Sequence, residues 1–382
     1  MDGLFDKMDA LLEQFKEVSS KLKIYIYPFY PPGYTSVTHF VDSIMNSKEY
    51  DWGEIYKAWL YFTHFLVHSP MYVEDPSGAD LFLVPQWENL NRSRSYREDL
   101  IRPVLTAIMS ETYRVSGPKR NHIFIYISDD TSLSDFRIPP LIKHHFRERF
   151  IRLTYSGRIP GFGQNHRSDQ PLLDYDPENE IVMPPGIPLE HDLHKEPLQV
   201  CANTFLYAGG EPKPNQQERV KFLQYMKGRY GSNQDSYFGI HCAGFGIWTS
   251  RFYNYLNMGI IPVVPSDGVV LPFEKFLNYP AFSVKLLSST YNAQNKAPIQ
   301  ELERIAEAAR GGTDTGLFGM QKNAKEIANW FYWRSKVPFQ NPFTLIILEL
   351  YEFVSGIKKA INPIAKREFY NVEESAKLSR YH

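Results

Sequence analysis

The sequence predicts an α/β protein made of two parallel-sheet halves that face one another across a crevice. Three observations predict it. Short apolar runs of strand length alternate with helix-length segments through both halves of the chain. A stretch crowded with proline and glycine, residues 154–197, separates the halves. At 382 residues the chain is long enough for two domains of ordinary size.

The elements follow in order. Residues 2–18 predict a helix, because Leu4, Met8, Leu11, Phe15 and Val18 recur at steps of three and four and share one stripe. Asp2, Asp6 and Asp9 lie toward its start and Lys16 and Lys21 toward its end, as the helix dipole favours. Its stripe either packs on the body or mediates self-association, and a stem remnant is the alternative. Lys23-Ile24-Tyr25-Ile26-Tyr27 reads as a strand stopped by Pro28 and the turn Pro31-Pro32-Gly33. A helix around 55–67, a buried strand at 79–85, a helix at 97–109 and a buried strand at 121–128 come next. Residues 154–197 read as loop. The second half opens with a strand at 204–208 ending in Gly209-Gly210, then a helix from about 216 to 226. A strand at 236–241, a helix at 248–258, a strand at 260–264 and another near 281–286 follow. Helices at 300–309, 320–333 and 342–358 close the chain. The expected units are an N-terminal helix or stem remnant at 1–22, a Rossmann-like acceptor domain at 23–197, a Rossmann-like donor domain at 198–360 and a tail at 361–382. Ligands of such sheets bind beyond the carboxyl ends of the strands.

Composition excludes several classes. Hydrophobic residues make up 43% and charged residues 22%, a globular balance. A net charge of −1 argues against a nucleic acid or other polyanion bound over a wide surface. The local basic run Lys143-His144-His145-Phe146-Arg147-Glu148-Arg149, with Arg152 after it, reads as a solvated helix face; an anionic acceptor or membrane surface is the alternative. Two cysteines, Cys201 and Cys242, do not make a disulfide scaffold and have no metal-ligand spacing. The aromatic share of 15% builds apolar cores first, and a sugar-stacking groove second. The first 20 residues do not resemble a secretory signal, and the most apolar window, 343–348, is too short to span a bilayer.

The chemistry concentrates between Ser236 and Leu286. A strand, Tyr237-Phe238-Gly239-Ile240-His241, enters a loop bearing Gly244 and Gly246, and the loop enters a helix that Thr249 and Ser250 could cap. Free N–H groups at a helix start suit a diphosphate, and glycines let the backbone approach it. Arg251 and Asn254 share a helix face, while Trp248, Phe252 and Leu256 form the apolar stripe, with Tyr255 a candidate fourth member. Gly259 ends the helix, Ile260-Ile261-Pro262-Val263-Val264 is a buried strand, and Asp267 and Glu274 lie in the turns beyond it. Arginine can hold a diphosphate through paired hydrogen bonds. Asp174-Tyr175-Asp176 matches the Asp-x-Asp pattern of metal-dependent transferases, but so short a pattern arises readily by chance.

This segment resembles the exostosin-like family, glycosyltransferase family 47. The resemblance rests on Thr249-Ser250-Arg251-Phe252, Gly259-Ile260-Ile261-Pro262-Val263, Ser266-Asp267, Leu271-Pro272-Phe273-Glu274 and Phe282-Ser283-Val284, in that order. Lys23-Ile24-Tyr25-Ile26-Tyr27, Ala79-Asp80-Leu81-Phe82-Leu83-Val84-Pro85, Asn121-His122-Ile123-Phe124 and Phe205-Leu206-Tyr207-Ala208-Gly209 extend it over about residues 23–335. It implies a GT-B fold, a UDP-sugar as co-substrate, a glycan acceptor, inversion at the sugar carbon, and no metal or other cofactor. The implied donor site comprises Gly209, Gly210, Lys213, Gly244, Gly246, Thr249, Ser250, Arg251, Asn254, Asp267 and Glu274. The candidate general bases are Asp129 and Asp130, just past a predicted strand end, and then Glu88, just past Val84-Pro85; a turn or capping acid is the alternative for each. Two departures stand out. The family commonly has Glu where this chain has Asn254, which admits a non-catalytic relative that binds glycan or partners an active transferase. The family is also usually held in the Golgi by an N-terminal membrane helix. The expected location is therefore the Golgi lumen if an anchor has been trimmed, and otherwise soluble and cytoplasmic. A homo- or hetero-oligomer is left open. An NAD-binding Rossmann enzyme fits poorly, because no Gly-x-Gly-x-x-Gly follows the first strand.

Overall fold

The computed structural model describes residues 2–28, 30, 33–47, 57–84, 121–126, 150–155, 157–158, 175–187, 200–208, 220, 222–224, 226, 228–231, 235–242, 250–265, 269–286, 297–313 and 315–355. Two parallel sheets carry the fold. The first contains β1 (Ile24–Ile26), β2 (Tyr72–Val73), β3 (Leu81–Val84), β4 (His122–Tyr126), β5 (Phe150–Thr154) and β7 (Glu180–Val182), in the order β2-β1-β3-β4-β5-β7. The second contains β8 (Asn203–Leu206), β9 (Ser236–Ile240), β10 (Ile261–Pro265) and β12 (Val284–Leu286), in the order β12-β10-β9-β8. Every pairing in both is parallel. Strands β5, β9 and β10 are buried along their whole length, as strands covered on both faces must be. The α/β expectation with parallel sheets is met.

A two-residue antiparallel ribbon joins the halves. β6 (Gly157–Arg158) pairs with β11 (Val269–Val270), with Gly157 opposite Val270 and Arg158 opposite Val269. β6 begins three residues after β5 ends, and β11 four residues after β10 ends, so the ribbon ties together segments just beyond the carboxyl ends of the two sheets. Glycine is needed at 157: a Cβ there would lie 2.6 Å from the Val270 Cβ and 2.8 Å from Val182 Cγ2.

Helix α1 (Asp2–Lys21) buries Met8, Phe15 and Val18 against α7 (Pro342–Ser355). The Phe15 and Phe343 rings meet at 6.3 Å, so the predicted stripe packs on the body. Phe343 also meets Phe62 and Phe65 of α3 (Ala58–Val67) at 5.5 and 5.6 Å. The last helix in the chain therefore completes the core of the first half. That same apolar core continues through Trp330, Phe331 and Trp333 to Phe252 and Leu256 beside the second sheet. The opposite face of the second sheet is covered by α5 (Ala297–Arg310) and α6 (Leu317–Ile327), which contribute Ile299, Leu302, Ile305, Leu317 and Met320.

Three local expectations are corrected. Residues 37–46 form a helix, α2 (Val37–Asn46), where the sequence reading placed no element between the Pro31-Pro32-Gly33 turn and the helix around 55–67. Its cap is Ser36, whose side chain accepts the His39 N–H at 3.0 Å, and Val37, Phe40, Val41 and Ile44 turn inward. The region 154–197 contributes β6 and β7 as well as loop. Arg152 is not on a solvated helix face: it lies in β5, almost wholly buried, 3.0 Å from Glu180 of β7. Glu180 also accepts from the Thr154 hydroxyl at 2.7 Å. The predicted helix at 97–109 and the basic run 143–149 lie outside the described residues.

Candidate functional site

The described part of the site lies at the carboxyl ends of β8 and β9. Helix α4 (Arg251–Asn257) follows these strands and carries Arg251 in its first turn and Tyr255 one turn later. The Arg251 guanidinium donates to the Cys242 carbonyl at 3.1 Å and lies over the Tyr207 ring, 5.6 Å from its centroid. Tyr207 follows β8 directly, and Cys242 follows β9 by two residues. The Tyr255 hydroxyl donates to the Ile240 carbonyl and accepts the Ala208 N–H, each at 3.2 Å. It thus bolts the ends of the two strands together. Burial pushes the Tyr255 phenol up to about 12, which keeps its proton in place for that bond.

Gly239 makes this packing possible. A Cβ at 239 would lie 2.5 Å from the Tyr255 ring, closer than any real side chain tolerates. Against Phe252, whose ring centroid is 5.4 Å away, His241 is buried, and neither nitrogen has a partner among the described residues. Burial, aided by the Arg251 charge, pushes His241 down to about 3, so the ring is neutral. Its backbone N–H continues the sheet by donating to the Val263 carbonyl at 2.8 Å.

Ser250 sits at the start of α4, but its backbone is already helical and its side chain makes no capping bond. The cap expected there is not made by Ser250, since a capping oxygen needs an extended backbone to reach back to the free N–H groups. Asn254 is half-buried on the same helix, three residues past Arg251. Glu274 is held by β11 and β12: its carboxylate accepts the Leu271 N–H at 3.1 Å and the Lys285 ammonium at 3.2 Å, and Lys285 also donates to the Val269 carbonyl. The Leu-Pro-Phe-Glu turn is tightly shaped. Phe273 adopts φ 61°, which a bulky side chain rarely does, and its ring is buried. The Tyr279 hydroxyl braces the turn on the Pro272 carbonyl at 2.6 Å.

Of the Asp-x-Asp match, Asp176 is a turn acid that accepts from the Asn179 side chain at 2.6 Å and the Glu178 N–H at 3.0 Å. Tyr175 packs its ring on Val182 and Val270. Both cysteines are free and buried, and burial pushes the Cys201 thiol up to about 11. Glu88, Asp129, Asp130, Gly209, Gly210, Lys213, Gly244, Gly246, Thr249 and Asp267 lie outside the described residues, as does Asp174.

Sequence reasoning did not assign Tyr207, His241 or Tyr255 to the site. Two signals were present. Tyr255 is four residues past Arg251 and so shares its face, and Gly239 is a glycine inside a strand, a mark of close approach by another group.

The model of the Exostosin GT47 domain matches residues 18–293, a span that runs from α1 to the end of the second sheet. A protein of Arabidopsis thaliana described as a probable glucuronoxylan glucuronosyltransferase is 21% identical over 347 residues, covering 80% of this chain and 67% of that one. With the family model spanning well over half of its length, including Arg251 and the Leu-Pro-Phe-Glu turn, this chain belongs to the exostosin GT47 family of glycosyltransferases.

Proposed function

We infer that the chain transfers a sugar from a UDP-sugar to a glycan acceptor, with inversion and with no metal in the reaction, in a GT-B arrangement of two Rossmann-like halves. The observation that carries this reading is Arg251, a cation set at the carboxyl ends of β8 and β9 and oriented by the Cys242 carbonyl and the Tyr207 ring. Family membership supplies the sugar chemistry. In the proposed reaction the acceptor oxygen attacks the anomeric carbon while the bond from that carbon to UDP breaks. The hydroxyl proton passes to a carboxylate, for which Asp129, Asp130 and Glu88 are the candidates. The electron pair leaves on the diphosphate, where Arg251 and the backbone N–H groups leading into α4 offset the charge.

The Arabidopsis relative's description puts UDP-glucuronic acid first among the donors to try. For location the family resemblance favours the Golgi lumen; among the described residues no helix is long and apolar enough to cross a membrane. The test is release of UDP from a panel of UDP-sugars by the wild-type chain and by Arg251→Ala. Loss of one such charge-stabilising donor should lower turnover by about 100- to 1,000-fold. Undiminished turnover would remove the donor-site assignment, and loss of activity in chelator would remove metal independence.

A second reading, a non-catalytic relative that binds glycan or partners an active transferase, is favoured by Asn254, an uncharged group where the family commonly has a carboxylate. A melting-temperature shift with millimolar UDP favours the enzyme reading; no shift favours the second.

A further inference from the structure

The geometry points to a divalent transition-metal site, of zinc type, formed by Asp42 of α2 with His64 of α3 and His68 just past its end. His64 and His68 are four residues apart and therefore project from the same side of one helical path, the spacing at which two imidazoles can chelate one ion. Their rings lie 4.7 Å apart, centroid to centroid. Both converge on a single carboxylate oxygen: Asp42 Oδ1 lies 3.2 Å from His64 Nδ1 and 2.8 Å from His68 Nε2. All three ligand atoms fall within 4.8 Å of one another. Ligands about 2.0–2.1 Å from a tetrahedral ion stand roughly 3.4 Å apart, so the two Asp42 contacts, at 3.2 and 2.8 Å, open by some tenths of an ångström to admit one.

The donor set identifies the ion class. Two imidazole nitrogens and one carboxylate oxygen suit zinc or cobalt, whereas magnesium and calcium prefer all-oxygen sites. The side chains of Asp42, His64 and His68 are 37%, 33% and 48% exposed, which leaves room for water to complete the coordination. Position argues for a structural rather than a catalytic ion. Helix α3 returns the chain to the start of β2, so its C-terminal end lies toward the amino ends of the strands, opposite the edge where an α/β sheet binds substrate. The ion clips α2 to α3, which both lie between β1 and β2 in the chain.

The test uses tag-free protein stripped with chelator, loaded with zinc chloride and passed through gel filtration before elemental analysis. One zinc per chain is expected, with visible d–d absorption when cobalt replaces it, and a melting temperature that rises with zinc. Asp42→Asn and His68→Gln, both on half-exposed positions, should each weaken zinc by more than about 100-fold in chelator competition. His39→Gln, also on α2, should bind as the wild type does. UDP release should not depend on zinc. Failure to retain zinc overturns the proposal, and so does retention that the double variant His64→Ala, His68→Gln leaves unchanged, since the ion would then sit elsewhere.

Discussion

Gly239 and Tyr255 show how much of the proposed donor site rests on one missing methyl group. The ring occupies the space a Cβ would need, and its hydroxyl joins the exits of β8 and β9. Gly239→Ala should therefore cost about 1–3 kcal/mol through overpacking. The same change should weaken UDP binding, because Tyr207 and Arg251 are set by those strand ends. Thermal unfolding and a UDP titration on one preparation check both effects; a destabilised variant with unchanged UDP affinity would separate Tyr255 from the site. Arg251→Lys should behave more like Arg251→Ala than like the wild type. An ammonium cannot donate to the Cys242 carbonyl, keep the contact over the Tyr207 ring and still offer paired donors to a diphosphate. Steady-state turnover of the two variants tests that ordering.

At the scale of elements, the pairing of β5 with β7 contains a fully buried ion pair, Arg152 with Glu180. Burial pushes the Glu180 carboxyl up, and Arg152, Thr154 and the Asp176 N–H oppose that. Arg152→Met should cost about 3–5 kcal/mol by leaving a buried carboxylate uncompensated, and Arg152→Met with Glu180→Leu should recover part of it. Denaturant melts of the single and double variants check this. Ser36→Ala should cost about 1 kcal/mol, the usual value of an N-cap, by the same measurement. These elements were also the hard ones to read. Strands β1, β3, β4, β8, β9 and β10 are apolar runs bounded by turn residues, so period and composition suffice. Strand β5 carries Arg152 in its centre, and charge patterning assigns such a residue to a surface until its partner, 28 positions away, is known. Helix α2 is only ten residues long, and its serine cap and four inward residues were outweighed by the proline-rich turn before it. In the candidate site, the placement of Arg251 and Asn254 on one helix was legible from their spacing. His241 was not, because its isolation depends on burial, and burial is a property of the packed molecule.

For the molecule as a whole, two histidines set an acid limit. Burial lowers His122 to about 4 and His241 to about 3, while the same side chains in an unfolded chain titrate near 6.5. Between those values the unfolded state binds more protons, so stability is complete above about pH 6.5 and is lost as pH falls toward 4 and then 3. Each group contributes at most about 1.4 kcal/mol per pH unit in its window. Melting temperatures from pH 7 to 4 test this, and His122→Gln should flatten the upper part of the slope. Phe343→Ala, which removes a ring shared by α1, α3 and α7, should cost about 3–5 kcal/mol by the same measurement. The partnership of α1 with α7 also has a meaning in time. A ribosome that adds roughly 5–20 residues per second needs about 15–65 seconds to travel from Phe15 to Phe343. Throughout that interval the apolar stripe of α1 and the adjoining face of α3 exist without the helix that covers them. Newborn chains of this protein should thus depend on a holdase until synthesis is nearly finished, and a ribosome stalled before residue 342 should present a soluble first half only while a chaperone remains bound.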